Sequence, residues 1–257
     1  MKYIKKFQDN TALETYKKSN FIAPHIYLDS NLNTVKFMQE YKQLEYISST
    51  QIGGQYIDLG CHLMENTDDI QIDIKFNIKG LGKSSSGNDS QLGTLIGSQP
   101  EVSPYNGFIL RIFSTTSTTP YNIVLQTKWK FTNSAPVDYG STQKYGSKYL
   151  SYYENNIQTQ RYWKEIYEFS ETLDNIPSSQ VNNCTCTLFC ALNGSNNPFR
   201  YVEADLYYLK FTKGGQVIRN LIPVKKVSTN EIGLYDMEND HLYISQGDDP
   251  FVAGPTI

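Results

Sequence analysis

The chain has 257 residues and a formal net charge of −3 at pH 7, so no broad basic field is present to attract nucleic acid or anionic lipid. Its 20 tyrosines and 12 phenylalanines against 4 methionines favour strands, and 39% apolar residues suffice for the core of one large all-β domain plus a small extra module. No apolar run approaches the ~20 residues of a membrane-spanning helix, and Met1-Lys-Tyr-Ile-Lys-Lys-Phe7 has the lysines of a signal peptide without its apolar stretch, so the expectation is a chain that folds in a cytoplasm.

Residues 1–40 read as a separate module. Lys2 to Phe7 alternates like a short strand. Asp9 or Asn10 is placed to cap a helix over residues 11–18, with Ala12, Leu13 and Tyr16 turned inward. Two further strands, within residues 21–28 and 34–37, flank the polar turn Asp29-Ser-Asn-Leu-Asn33. A β-α-β-β unit of this size lacks an independent core, so it must dock on its own larger domain or on a partner. The apolar side chains available for that are Tyr3, Ile4, Phe7, Leu13, Tyr16, Phe21, Ile26, Tyr27 and Phe37.

Residues 41–257 read as one antiparallel sandwich, with Glu40-Tyr-Lys-Gln43 as the joint and the sandwich proper starting at Leu44. Gln55 to Leu59 is a strand. Asp69 to Ile78 is the cleanest strand in the chain, with Ile70, Ile72, Ile74, Phe76 and Ile78 facing a core and Gln71, Asp73, Lys75 and Asn77 facing water. Residues 80–90, rich in Gly and Ser, are a loop. Strands follow at 92–98, 107–113 and 122–131. Residues 133–165 are polar and carry aromatic residues at irregular spacing. Tyr139, Tyr145, Tyr149, Tyr152, Tyr153, Tyr162 and Trp163 are candidates either for stacking on a glycan or for a subunit interface. Strand alternation resumes over 163–170, and Cys184 to Ala191 leads through the turn at 193–198 to the last strands. Arms at 206–211 and 217–222 flank Gly214 and Gly215, which supply the positive φ of a tight hairpin. The first arm is expected to carry Tyr207, Leu209 and Phe211 on one face and Leu206 and Tyr208 on the other. A strand pair at 231–235 and 241–244 comes next, and the chain closes on Phe251-Val-Ala-Gly-Pro255.

The closing order of elements, with Arg219-Asn-Leu-Ile-Pro-Val-Lys-Lys226, Ile232-Gly-Leu-Tyr-Asp236, Leu242-Tyr243 and Phe251-Val-Ala-Gly-Pro255, resembles the C-terminal signature of laminin-G/concanavalin A-like jelly rolls. Leu44-Glu-Tyr-Ile-Ser-Ser-Thr50 and Gln55-Tyr-Ile-Asp-Leu-Gly60 resemble the family's N-terminal signature. The likeness covers residues 41–257, and because a typical member lacks much of residues 133–165 it implies that these are a long insertion at the sandwich rim. The start of the chain, through Thr34-Val-Lys-Phe37, is similar to the N-terminal segment of structural proteins of phages of gut Bacteroidota, including crAss-like phages. Together they imply a mainly β chain: an antiparallel concanavalin A-like jelly roll behind an attachment module of residues 1–40. They also imply a virion structural protein, a capsid-attached head fibre or decoration protein, folded in the host cytoplasm and then placed on the capsid surface. Its implied partners are capsid or other virion proteins, copies of itself (trimer before dimer) and host or mucosal polysaccharide. A bacterial carbohydrate-binding module with no virion role is the alternative.

No catalytic, cofactor or metal residues are expected. Glucanases of the related fold need a second carboxylate close to the first, and Glu203-Ala-Asp205 is followed by Tyr208 where that Glu would stand, so Glu203 and Asp205 read as half-exposed strand carboxylates. His25, His62 and His241 are scattered, with no nucleophile in an activating context. Cys61 stands alone in the sequence. Cys184, Cys186 and Cys190 share one parity, and i, i+2 neighbours lie ~7 Å apart on an extended strand, too far for a ready disulfide. No calcium-loop spacing is present, and the Gly, Lys and Ser of residues 80–90 do not have P-loop spacing.

Overall fold

The computed structural model describes residues 4–6, 26–28, 34–36, 40–50, 54–80, 92–98, 107–114, 121–130, 147–155, 167–173, 176, 178, 181–193 and 195–257. Among them the regular structure is all β. The chain opens with β1 (Ile4–Lys6), β2 (Ile26–Leu28), β3 (Thr34–Lys36), β4 (Tyr41–Gln43), β5 (Ile47–Ser49) and β6 (Ile57–Asp58). The long strands of its middle are β7 (Ile70–Gly80), β8 (Leu92–Ser98), β9 (Gly107–Ser114), β10 (Tyr121–Lys130), β11 (Ser147–Asn155) and β12 (Tyr167–Leu173). Three short strands follow, β13 (Thr187–Leu188), β14 (Ala191–Leu192) and β15 (Pro198–Phe199). The chain ends with β16 (Glu203–Lys213), β17 (Gln216–Lys226), β18 (Ile232–Asp236), β19 (His241–Ile244) and β20 (Val252–Ala253).

Two large sheets share one core. The larger runs β12-β7-β16-β17-β18-β19, with β4 on β17 and β5 bridging β16 to β20; the smaller runs β11-β10-β9-β8-β13-β6. All their pairings are antiparallel. The alternation of β7 is realised in full: Ile70, Ile72, Ile74, Phe76 and Ile78 are all buried. They meet Ile57, Leu95, Ile96, Phe108, Leu110 and Leu188 of the opposite sheet, each side chain contributing about 1.5–3 kcal/mol by leaving water. The hairpin between β16 and β17 turns through Gly214 and Gly215 at φ +54° and +78°, with Lys213 opposite Gln216, the two-residue turn expected of a Gly-Gly pair. Strand β17 is covered on both faces: Leu221 joins the main core, while Ile222 and Val224 pack with Tyr41, Tyr235, Met237 and Leu242 on the far side.

Strands β1, β2 and β3 form a sheet of their own, parallel between β1 and β2 and antiparallel between β2 and β3. The three strands expected in residues 1–40 are thus present. The expected helix over residues 11–18 lies outside the described residues.

Four local expectations need correction. Strand β16 does not alternate throughout. Leu206 pairs with Phe76 and Tyr208 with Lys75, so Tyr207 is the extra residue of a β-bulge. Leu206 therefore shares the core face with Leu209 and Phe211, and Tyr207 does not. Residues 41–43, expected as a joint, are strand β4 of the larger sheet. Cys184 to Ala191 is not one strand, because Phe189 at φ +63° breaks it between β13 and β14. Residues 147–155 of the expected rim insertion are a nine-residue strand, β11, paired with β10.

Candidate functional site

The outer face of the larger sheet carries an open groove of about 720 Å³. Its long wall is built from the outward positions of β7 (Gln71, Asp73 and Lys75), next to Tyr207, Tyr208 and Lys210 of β16 and Asn220 and Ile222 of β17; Gln43, Leu44, Glu45 and Ile257 close one side. The bulge in β16 makes this surface. A regular strand would send one of two successive residues to the core, whereas here both Tyr207 and Tyr208 line the groove.

The polar groups are cross-linked before any ligand arrives. Lys210 Nζ sits 3.2 Å from Asp73 Oδ2, across the strand pair in which Lys210 and Asp73 face each other. Gln71 Nε2 donates to the same carboxylate at 3.0 Å. Tyr207 packs tilted against Tyr46 at a centroid distance of 5.2 Å, and Lys75 Nζ lies 5.4 Å from the centre of its ring. Burial, then Asp205, Glu45 and Tyr46, push the Tyr207 phenol up to about 12, so it remains a neutral hydrogen-bond donor over the physiological range. The groove thus offers aromatic rings, amides and paired charges of both signs.

Beside it lies a buried polar staple. Asp205 is 3% exposed rather than the half-exposed strand carboxylate expected. It accepts a hydrogen bond from the Ser48 hydroxyl of β5 and is ion-paired with Lys79 Nζ of β7 at 2.6 Å. Three strands are tied through one carboxylate. The Ser48 hydroxyl and the Asp205 carboxylate are both buried. At the other end of the sheet Asp236, fully buried, accepts from Asn220 N at 3.0 Å, Glu238 N at 3.1 Å and Asn239 Nδ2 at 2.7 Å. It fixes the β18–β19 turn.

The sequence-derived candidates fall elsewhere. Tyr149, Tyr152 and Tyr153 lie on β11, opposite Gln126, Val124 and Ile123, in the smaller sheet and away from the groove. Tyr139, Tyr145, Tyr162 and Trp163 lie outside the described residues. Ile4 pairs with Ile26, and Tyr27 with Val35, in the three-stranded sheet; Tyr3, Phe7, Leu13, Tyr16, Phe21 and Phe37 lie outside the described residues. Of the histidines, His241 packs edge-on to Tyr243 at 4.6 Å, and the backbone carbonyl of His62 accepts from Lys213 Nζ at 3.1 Å. Among the described residues no group of three or more His, Cys, Asp or Glu side chains is placed to hold a metal, and no helix is long and apolar enough to cross a membrane. Sequence reasoning missed the groove. Its one signal was the polar face of β7 beside consecutive tyrosines in a neighbouring strand.

Protein-family models, curated proteins and solved structures were all compared with the chain, and none matches it.

Proposed function

We propose that the protein is a structural component of a phage particle, a capsid-attached head fibre or decoration protein. Its body is a concanavalin A-like jelly roll, residues 1–40 attach it to the capsid or another virion protein, and it acts as a homo-oligomer, trimer before dimer. The resemblance at both ends of the chain supports this reading. The observation that carries it is the partition of the sheets: β1 to β3 form a three-stranded sheet of their own, apart from the two large sheets. That is the division expected of an anchor and a body. The test is a chain starting at Glu40, which keeps Tyr41 and β4. It unfolds cooperatively yet is missing from purified particles; recovery in particles at full occupancy overturns the attachment role.

The Tyr207–Tyr208 groove favours a second, compatible reading, contact with polysaccharide. Tyrosine faces suit the apolar face of a sugar ring, and the amide and charged groups suit its hydroxyls. A lectin-like module without a virion role uses the same groove. On either reading, Tyr207→Ala combined with Tyr208→Ala weakens polysaccharide binding at least ~tenfold in a glycan-array or calorimetric measurement. Unchanged binding removes the groove from the proposal and leaves the anchor untouched.

A further inference from the structure

Cys61 is distant from the other cysteines in sequence, but the fold brings it against Cys186. The segments that carry them run antiparallel: Asp58 pairs with Thr187, and Ile57 with Leu188. Beyond that pairing, Leu59 N donates to Cys186 O at 2.9 Å and Cys186 N donates to Cys61 O at 2.8 Å. Gly60 lies between these two bonds with φ +61°, its N–H held by Asp58 Oδ1 at 2.8 Å. This left-handed step brings Cys61 alongside Cys186. Both cysteines are free thiols, and each shifts the ionisation of the other. Cys186 is fully buried in the main core, with Cys61 half-buried against it. The backbone hydrogen bond from Cys186 N to Cys61 O holds their Cα atoms within the roughly 4.4–6.8 Å that a disulfide spans.

We propose that Cys61 and Cys186 are a disulfide-forming pair, joined when the folded protein meets a low-molecular-weight disulfide. Cys61 is the attacking thiol. It is the more accessible of the two, and its thiol is held below the ordinary value by the hydrogen bond from Cys186 and by nearby Arg219, against the opposing effects of burial and Asp58. Its thiolate attacks one sulfur of oxidised glutathione and expels one glutathione thiolate, leaving a mixed disulfide. Cys186 then gives up its proton and attacks the Cys61 sulfur, and the second glutathione leaves as a thiol carrying that proton. Two protein thiols are oxidised and one glutathione disulfide is reduced. The other cysteines are poorly placed to compete. Cys184 stands two residues from Cys186 along an extended segment, and burial pushes its thiol up to about 11. Cys190 lies beyond the Phe189 turn, buried, with its carbonyl held by Thr187 Oγ1 at 2.9 Å. The inference does not depend on any virion role.

The full-length protein is incubated with oxidised glutathione, and its thiols are then counted after denaturation. The count falls from the four cysteines of the chain to two, and peptide mapping joins Cys61 to Cys186. Because the link closes the long loop from residue 61 to residue 186, the oxidised protein melts ~5 °C or more higher. Cys61→Ser, a change at a half-buried position, shows neither the link nor the rise. Four remaining thiols, glutathione adducts without a crosslink, or a link between any other pair overturns the proposal.

Discussion

Strands β7 and β16 are neighbours in one sheet, equal in length at 11 residues, yet they obey their sequences differently. In β7 every second residue from Ile70 to Ile78 is buried. In β16 the same rule holds from Leu209 to Lys213, but Ala204, Asp205 and Leu206 are all buried, and at Tyr207 two residues face one on β7. Alternation reports which side chains share a face only while each residue advances the pairing by one. A bulge inserts a residue without announcing itself. Here it also creates the surface with the clearest binding chemistry, since Tyr207 and Tyr208 both reach the groove only because of it.

Single-residue deletions test this contrast most severely. Removing Tyr207 leaves Leu206 opposite Phe76 and Tyr208 opposite Lys75, the pairings already present, so that variant still unfolds cooperatively, at a cost of about 2 kcal/mol for its lost ring contacts. Removing Asp73 sends either Ile70 and Ile72 or Ile74, Phe76 and Ile78 to the wet face, and no folded protein is recovered. Equal damage from the two deletions, read by urea titration and circular dichroism, would show that the bulge is not a free insertion.

Substitutions give a milder version of the comparison. Phe76→Ala, in the main core, costs about 3–5 kcal/mol, whereas Tyr207→Ala, on the groove side, costs less than about 2 kcal/mol. Urea midpoints measured on both variants rank them, and the reverse order would place Tyr207 in the core after all. The smallest effect is set by pH. Tyr41, Tyr201 and Tyr207 are pushed up to about 12 from an ordinary value of 10.0, by burial first in each case. Their neutral forms are favoured in the folded state, so the stability they supply is present below pH 10 and is lost as pH rises towards 12. Tyrosinate absorbance in the native protein therefore lags that of the urea-unfolded chain across this window, and Tyr207→Phe removes part of the lag.

What the sequence made legible was whatever depends on local period and turn chemistry. The long strands, the Gly214–Gly215 hairpin and the β18–β19 pair all follow from residues close together in the chain. What it hid depends on pairing between distant segments. Asp205 looked like an ordinary strand carboxylate, because nothing near it in sequence reveals Ser48 and Lys79. Cys61 looked solitary, because only the antiparallel run of β6 against β13 sets it beside Cys186. The groove was overlooked for a related reason: its residues come from four separate strands and the last residue of the chain, and attention went instead to the crowded aromatics of 133–165. Three of those, Tyr149, Tyr152 and Tyr153, belong to a strand of the other sheet.

The last residues of the chain lie antiparallel along the first part of the sandwich. Gly254 N donates to Tyr46 O at 2.9 Å and Glu45 N to Pro255 O at 2.7 Å, Leu44 bridges to Thr256, and β20 pairs with β5. Strand β5, among the first segments of the body to leave a ribosome, therefore gains its second neighbour only after residue 253 has been made. Contacts between segments so far apart in sequence also favour slow folding. A product cut short before Val252 would leave that edge of β5 unpaired.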